Sequence, residues 1–296
     1  MKIGVFDSGY GGLTILDEIR KVLPEYDYLY LGDNARAPYG THSFEVIYSY
    51  TLQAVEYLFR QGCTIVILAC NTASAKALRT IQQRDLPGRW RPGEGAAIKE
   101  IRNVLGVIRP TVEVVPSVTR TGHVGILATP ATVSSESYIM ELDKMSEGQT
   151  TKMVVSQQAC PMWVPLIESG EHLNPGADWF IDKYLRALMA QDPLIDTIVL
   201  GCTHYPLLLP KIRKWLTANR QGKEIAVIAQ GGLVAESLKD YLNRHPEYRT
   251  QLSKGGTCRY LTTENADRFA QSASLFLQAP VSAEHVPISS PQGTKA

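Results

Sequence analysis

Two stretches far apart in the chain end apolar strands in the same way. IVILACNT, residues 65–72, lies over TIVLGCTH, residues 197–204, with the apolar Val66, Ile67 and Leu68 matched by Ile198, Val199 and Leu200 and Cys70 set against Cys202. GVFDSG at 4–9 likewise matches GILATP at 125–130. The distance from each opening glycine to its cysteine is similar, 70 − 4 = 66 against 202 − 125 = 77. Such self-similarity is the mark of a duplicated supersecondary unit with loop-length drift. The chain is therefore expected to fold as two related halves, each delivering one thiol at a strand end.

The type of unit follows from periodicity. KIGVFD, YDYLYLGD and CTIVILAC read as strands, separated by the helical patterns LTILDEIRKVL and SFEVIYSYTLQAVEYLFRQG. This βαβαβ order implies a parallel sheet covered by helices, with ligands beyond the carboxyl ends of the strands. Asp7, Asp33 and Cys70 fall there. The second half repeats the alternation through HVGILATP, TTKMVVSQQA and DTIVLGC. The expected fold is α/β, with two pseudo-symmetric doubly wound domains, mostly parallel sheets and an active site in the cleft between them. Residues 1–103 plus 217–279 are assigned to the first domain and 104–216 to the second, EIAVIAQGG and CRYLTT both returning to the first sheet. LPGRWRPGEGAAIK, residues 86–99, reads as an exposed insertion, and 280–296, where Pro, Ser and Gly prevail, as a disordered tail.

Charge and cysteine usage narrow the function. Thirty basic against twenty-nine acidic side chains, without a Lys/Arg cluster, argue against nucleic acid as principal ligand. The N-terminal apolar run is too short for a secretory signal, and no stretch reads as crossing a bilayer, so no membrane association and a cytoplasmic location are expected. Five scattered cysteines without a CxxC pair point to reduced thiols, each catalytic, metal-bound or buried. Cys63, Cys160 and Cys258 are assigned to the core, and His42, His123, His172, His245 and His285 to the surface.

Cys70 is followed by Asn71 and Thr72, and Cys202 by Thr203 and His204, which puts polar groups beside each sulfur. Asp7 could lie beside Cys70; its counterpart in the second half is Ala128, which leaves His204 as the helper by adjacency. Paired thiols with unlike helpers suit two-sided proton transfer. Three other readings stand beside it. Cys202, His204 and Asp7 could form a nucleophile, base and orienter for acyl transfer in a thiol hydrolase. Cys70, Cys202 and His204 could be soft metal ligands. In the plainest reading Asp7 caps a helix, His204 bonds to backbone, Tyr39 packs and Glu168 is solvated. GYGG lacks the GxGxxG spacing and no GxxxxGK[ST] occurs, so no dinucleotide or P-loop pattern competes.

FDSGYGGL, LGDNARAPYG, LACNTASA, GVIRP and GCTHYPLL together resemble the glutamate racemases, the pyridoxal-independent enzymes that supply D-glutamate for peptidoglycan. The likeness spans roughly residues 3 to 278. It implies a glutamate substrate, no cofactor and no metal, and two cysteines on opposite faces of the substrate, Cys70 and Cys202, with Asp7 and His204 as their respective helpers. Glu168 matches a glutamate near the second cysteine. Ser8, Pro38, Tyr39, Gly40, Asn71, Thr72 and Thr203 match substrate contacts, as do Thr129 and Thr132 in ATPAT, where Ala128 and Ala131 stand in place of the family's usual glycines. Aspartate-specific relatives are the nearest rivals, but GCTHYPLL fits the glutamate enzymes better. IAQGGLVAESL lacks the acidic residue expected at that strand end. Whether two copies pair as a homodimer is left open.

Overall fold

The computed structural model describes residues 1–87, 101–147, 152–219 and 224–288. Among the described residues ten strands form two sheets, parallel throughout: β1 (Lys2–Asp7), β2 (Tyr28–Gly32), β3 (Cys63–Leu68), β4 (Asn103–Gly106), β5 (His123–Ala128), β6 (Val154–Ala159), β7 (Thr197–Gly201), β8 (Ala226–Ile228), β9 (Cys258–Thr262) and β10 (Ala283–His285). The first sheet runs β10-β9-β2-β1-β3-β4 and the second β6-β5-β7-β8. Both contain the same order, second, first, third and fourth strand of their half. The matched sequences thus occupy equivalent central strands, β1 with β5 and β3 with β7.

Central strands of a parallel sheet are buried on both faces, which is why these segments are nearly unbroken apolar runs. Side chains alternate between two helical layers. Ile3, Val5, Ile65 and Ile67 face the helices Gly12–Val22, Gly231–Arg244 and Ala266–Leu277. Phe6, Val66 and Leu68 face Phe44–Arg60 and Asn71–Thr80. The second sheet is covered likewise, by Gly176–Gln191 and Leu209–Asn219 on one side and Ile108–Val118 and Ser137–Ser146 on the other. Local signals set the boundaries: the helix Phe44–Arg60 starts where Ser43 Oγ accepts from Val46 N, and the chain leaves it through Gly62 at φ 84°, a left-handed conformation that favours glycine.

The sequence reading is corrected at three places. EIAVIAQGG does not return to the first sheet, because β8 pairs with β7 and completes the second; CRYLTT, as β9, does return. Residues 104–106 belong to β4 of the first sheet, so that sheet extends past residue 103. The segment from 280 is not without structure: β10 pairs with β9, the guanidinium of Arg259 meets Glu284 at 2.8 Å, and Val286 is buried. Of the stretch 86–99, Leu86 is buried in the core and residues 88–99 lie outside the described residues. No helix among the described residues is long and apolar enough to cross a membrane.

Candidate active site

The carboxyl ends of β1, β3 and β7 meet at one cavity of about 100 Å³. Asp7 ends β1, Cys70 lies two residues beyond β3, and Cys202 directly follows β7. Both sulfurs line the cavity, one brought by each sheet.

On the first side, Cys70 caps the helix Asn71–Thr80: its Sγ is 3.4 Å from Ala73 N and 3.3 Å from Ser8 Oγ. Burial and the nearby Asp7 carboxyl push this thiol up to about 12, against the two hydrogen bonds, so it holds its proton at neutral pH. Asp7 is itself raised by burial, partly offset by His204 and by backbone N–H groups. Its Oδ2 accepts from Gly9 N at 2.8 Å, while Oδ1, buried, has no partner. A carboxyl so placed can carry a proton.

On the second side, Cys202 Sγ is 3.8 Å from His204 Nδ1, and His204 Nε2 is 3.0 Å from Glu168 Oε1. Burial opposes charge on this ring, but the bonds to Cys202 and Glu168 prevail and raise it to about 10. His204 is therefore an imidazolium at neutral pH, held between a sulfur and a carboxylate. The acyl-transfer reading expected Asp7 as third member of such a chain; Glu168 takes that place.

Two loops close the cavity. DSGYGG crosses so close to the second half that a Cβ on Gly11 would lie 2.3 Å from Thr203 Oγ1 and 2.4 Å from His204 Nδ1. APYG supplies Pro38, Tyr39 and Gly40. Tyr39 donates to the Asp33 carboxylate, which also receives Arg36 Nε at 2.7 Å and Thr263 Oγ1 at 2.8 Å; Asp33 supports the loop and does not line the cavity. Asn71, Thr72, Thr129 and Thr203 complete the polar wall. No Lys or Arg is among the lining residues. Donors for a bound carboxylate are thus hydroxyls, backbone N–H groups at helix starts and the His204 imidazolium.

Residues 13–237 match the Asp/Glu/Hydantoin racemase family. The chain belongs to this family. It is 40% identical over 294 residues to the glutamate racemase of Ruegeria sp. (strain TM1040), covering 96% of this chain and 99% of that one. The glutamate racemase of Paracoccus denitrificans is 38% identical over 291 residues, covering 95% and 98%. Among solved structures, a glutamate racemase isoform of Bacillus anthracis superposes with a TM-score of 0.81 at 30% identity, covering 97% of each chain. The Francisella tularensis glutamate racemase in complex with D-glutamate gives 0.80 at 30% identity, again over 97% of each.

As a racemase-family chain, it brings nearly all the residues singled out from its sequence to one cavity: Asp7, Ser8, Pro38, Tyr39, Gly40, Cys70, Asn71, Thr72, Thr129, Glu168, Cys202, Thr203 and His204. Two departures stand out. Thr132 does not line the cavity; it sits behind the wall, its Oγ1 3.0 Å from Thr129 Oγ1 and 3.4 Å from Thr72 Oγ1. Cys160, assigned to the core, is buried but does line it, together with Pro161, Val164 and Pro165. Cys160 follows β6, the edge strand beside β5, a position the match of Cys70 with Cys202 could not reveal. The soft-ligand reading finds no support, since no group of three or more His, Cys, Asp or Glu among the described residues is arranged to hold a metal ion.

Proposed function

We propose that the chain interconverts L-glutamate and D-glutamate by proton transfer at the α-carbon between two thiols, Cys70 and Cys202, and so supplies D-glutamate for peptidoglycan. The observation that carries this reading is the meeting of both sulfurs, from equivalent strand ends of the two sheets, at one small cavity. Near-full-length relatives that are glutamate racemases support the substrate.

One thiolate removes the α-proton from one face while the other thiol protonates the opposite face, inverting the centre. The two ends differ in how they hold protons. Cys70 starts protonated because it is buried beside Asp7; the ammonium of a bound amino acid would draw it back down by direct charge attraction. Cys202 can exchange a proton with His204, whose charge is balanced by Glu168. Negative charge that develops on the substrate carboxylate meets donors already in place: Ser8, the N-terminus of the helix Asn71–Thr80, Thr129 and Thr203. Fixed donors in a site of low dielectric stabilise such charge without reorganising.

The test is circular-dichroism assay of L-glutamate and of L-aspartate with the purified protein and no added cofactor. Loss of the L-glutamate signal to the racemic value, with L-aspartate unchanged, is expected. Inversion of aspartate alone would overturn the substrate assignment.

A further inference from the structure

A buried polar cluster stands behind the cavity, centred on Gln230 at the start of the helix Gly231–Arg244. Gln230 is 1% exposed and its partners are as deeply buried: Asn71 at 2%, Tyr138 and Thr111 at 0%. They come from the starts or first turns of four helices, two of which cover the first sheet and two the second.

The hydrogen bonds close into a ring with one sense. Asn71 Nδ2 donates to Gln230 Oε1 at 2.6 Å. Gln230 Nε2 donates to Tyr138 Oη at 3.0 Å, and Tyr138 Oη donates to Asn71 Oδ1 at 2.8 Å. The second Nε2 hydrogen goes to Thr111 Oγ1 at 2.9 Å, which can accept it because its own hydrogen is given to the Val107 carbonyl at 2.7 Å. Every donor in the ring is used except one. Asn71 Nδ2 carries two hydrogens, and the second has no acceptor among the described residues. Asn71 lines the cavity.

We infer that Gln230 is a positioning residue for the reaction: by clamping both ends of the Asn71 amide it fixes which way that amide faces and presents the unused N–H to a carboxylate oxygen of the substrate. A free asparagine amide can rotate to offer oxygen or nitrogen, and an oxygen turned toward a carboxylate repels it. Here rotation would break two buried bonds at once, Asn71 Nδ2 to Gln230 Oε1 and Tyr138 Oη to Asn71 Oδ1, and leaving buried donors and acceptors unpaired is costly. The device acts through the ring of bonds alone, since Gln230 does not line the cavity. This inference rests on the glutamate-racemase reading above.

The experiment is a double-mutant cycle on the full chain, reading KM and kcat for D-glutamate, with thermal midpoints recorded in parallel. Gln230→Met keeps size and removes the clamp. It is expected to raise KM about tenfold, the worth of one charge-assisted hydrogen bond, with kcat changed less than threefold. Asn71→Ala should raise KM at least as much, and the double variant no further than Asn71→Ala alone, because without the amide Gln230 has nothing to orient. Tyr138→Phe, which deletes one hydroxyl from the ring, should shift KM in the same direction and serves if Gln230→Met fails to fold. Effects that multiply in the double variant, or a KM unmoved in both Gln230→Met and Tyr138→Phe, would overturn the inference. Wild-type turnover in the same assay reports separately on the reaction: without it, glutamate affinity by calorimetry replaces KM, and absence of binding also overturns the role.

Discussion

His204 Nε2 lies 3.0 Å from Glu168 Oε1, while the opposite ring nitrogen lies 3.8 Å from Cys202 Sγ. Each end of the imidazole is thus committed, and its charge is stabilised from both sides against the pull of burial. Its folded value of about 10 lies above the ordinary 6.5. Protonated His204 therefore stabilises the fold fully below about pH 6.5, and that contribution is lost as pH rises through about 10.

The same sign governs activity. In kcat/KM for glutamate, an alkaline limb near pH 10 is expected in the wild type. Glu168→Gln keeps the acceptor oxygen and removes the charge, so His204 loses one of the causes that raise it and the limb should move to lower pH. A pH–rate profile on both proteins checks this; coincident limbs would remove Glu168 from the proton chain.

Cys70→Ser and Cys202→Ser should each lower racemisation by at least about a hundredfold, since a serine hydroxyl is far harder to ionise than a thiol and each face loses its proton carrier. Polarimetry on the purified variants measures it. Both should fold, because the change is near-isosteric at positions that already carry polar neighbours.

Asp7→Asn separates proton transfer from binding. Asparagine can still accept from Gly9 N but cannot carry a proton, so kcat should fall about a hundredfold with KM within about threefold. The folded carboxyl is raised above 3.8 by burial, so its contribution to stability falls as pH rises through that window. At pH 7 the variant should therefore melt no lower than the wild type. A lower thermal midpoint would return Asp7 to a structural role.

Gly11→Ala tests the closeness of the two halves. The added methyl would meet Thr203 and His204 at 2.3 and 2.4 Å, which forces one of them to move. A loss of roughly 1–3 kcal/mol of stability and at least tenfold of turnover is expected from the overpacking. Chemical denaturation and steady-state kinetics read the two.

Much of this arrangement was legible because its residues stand at strand ends. Cys70 and Cys202 each follow a buried apolar run, and the likeness of β3 to β7 marked them before any geometry was known. The residue behind them was harder to find. Gln230 acts through Asn71, Tyr138 and Thr111, which are widely separated in the chain, so no local pattern announces the ring. Cys160 looked like an ordinary buried cysteine, and it is one; only the position of β6 beside β5 puts it on the cavity. The destination of β8 was misread because a three-residue apolar strand fits either sheet edge, and pairing with β7 is a tertiary choice. β10 escaped notice for the opposite reason: Glu284 and His285 are exposed on an edge strand and carry no apolar alternation, and the segment is held by Arg259 and Val286.

The central claim is that two carriers act on opposite faces of one carbon. Incubation of L-glutamate with the protein in deuterium oxide, stopped early and resolved by enantiomer, reads this directly by mass spectrometry. The D-glutamate formed should carry deuterium at the α-carbon while the remaining L-glutamate keeps its protium, because the removed proton and the added one travel on different sulfurs. Deuterium appearing in recovered L-glutamate as fast as in D-glutamate would mean that a single carrier serves both faces, and would contradict the account.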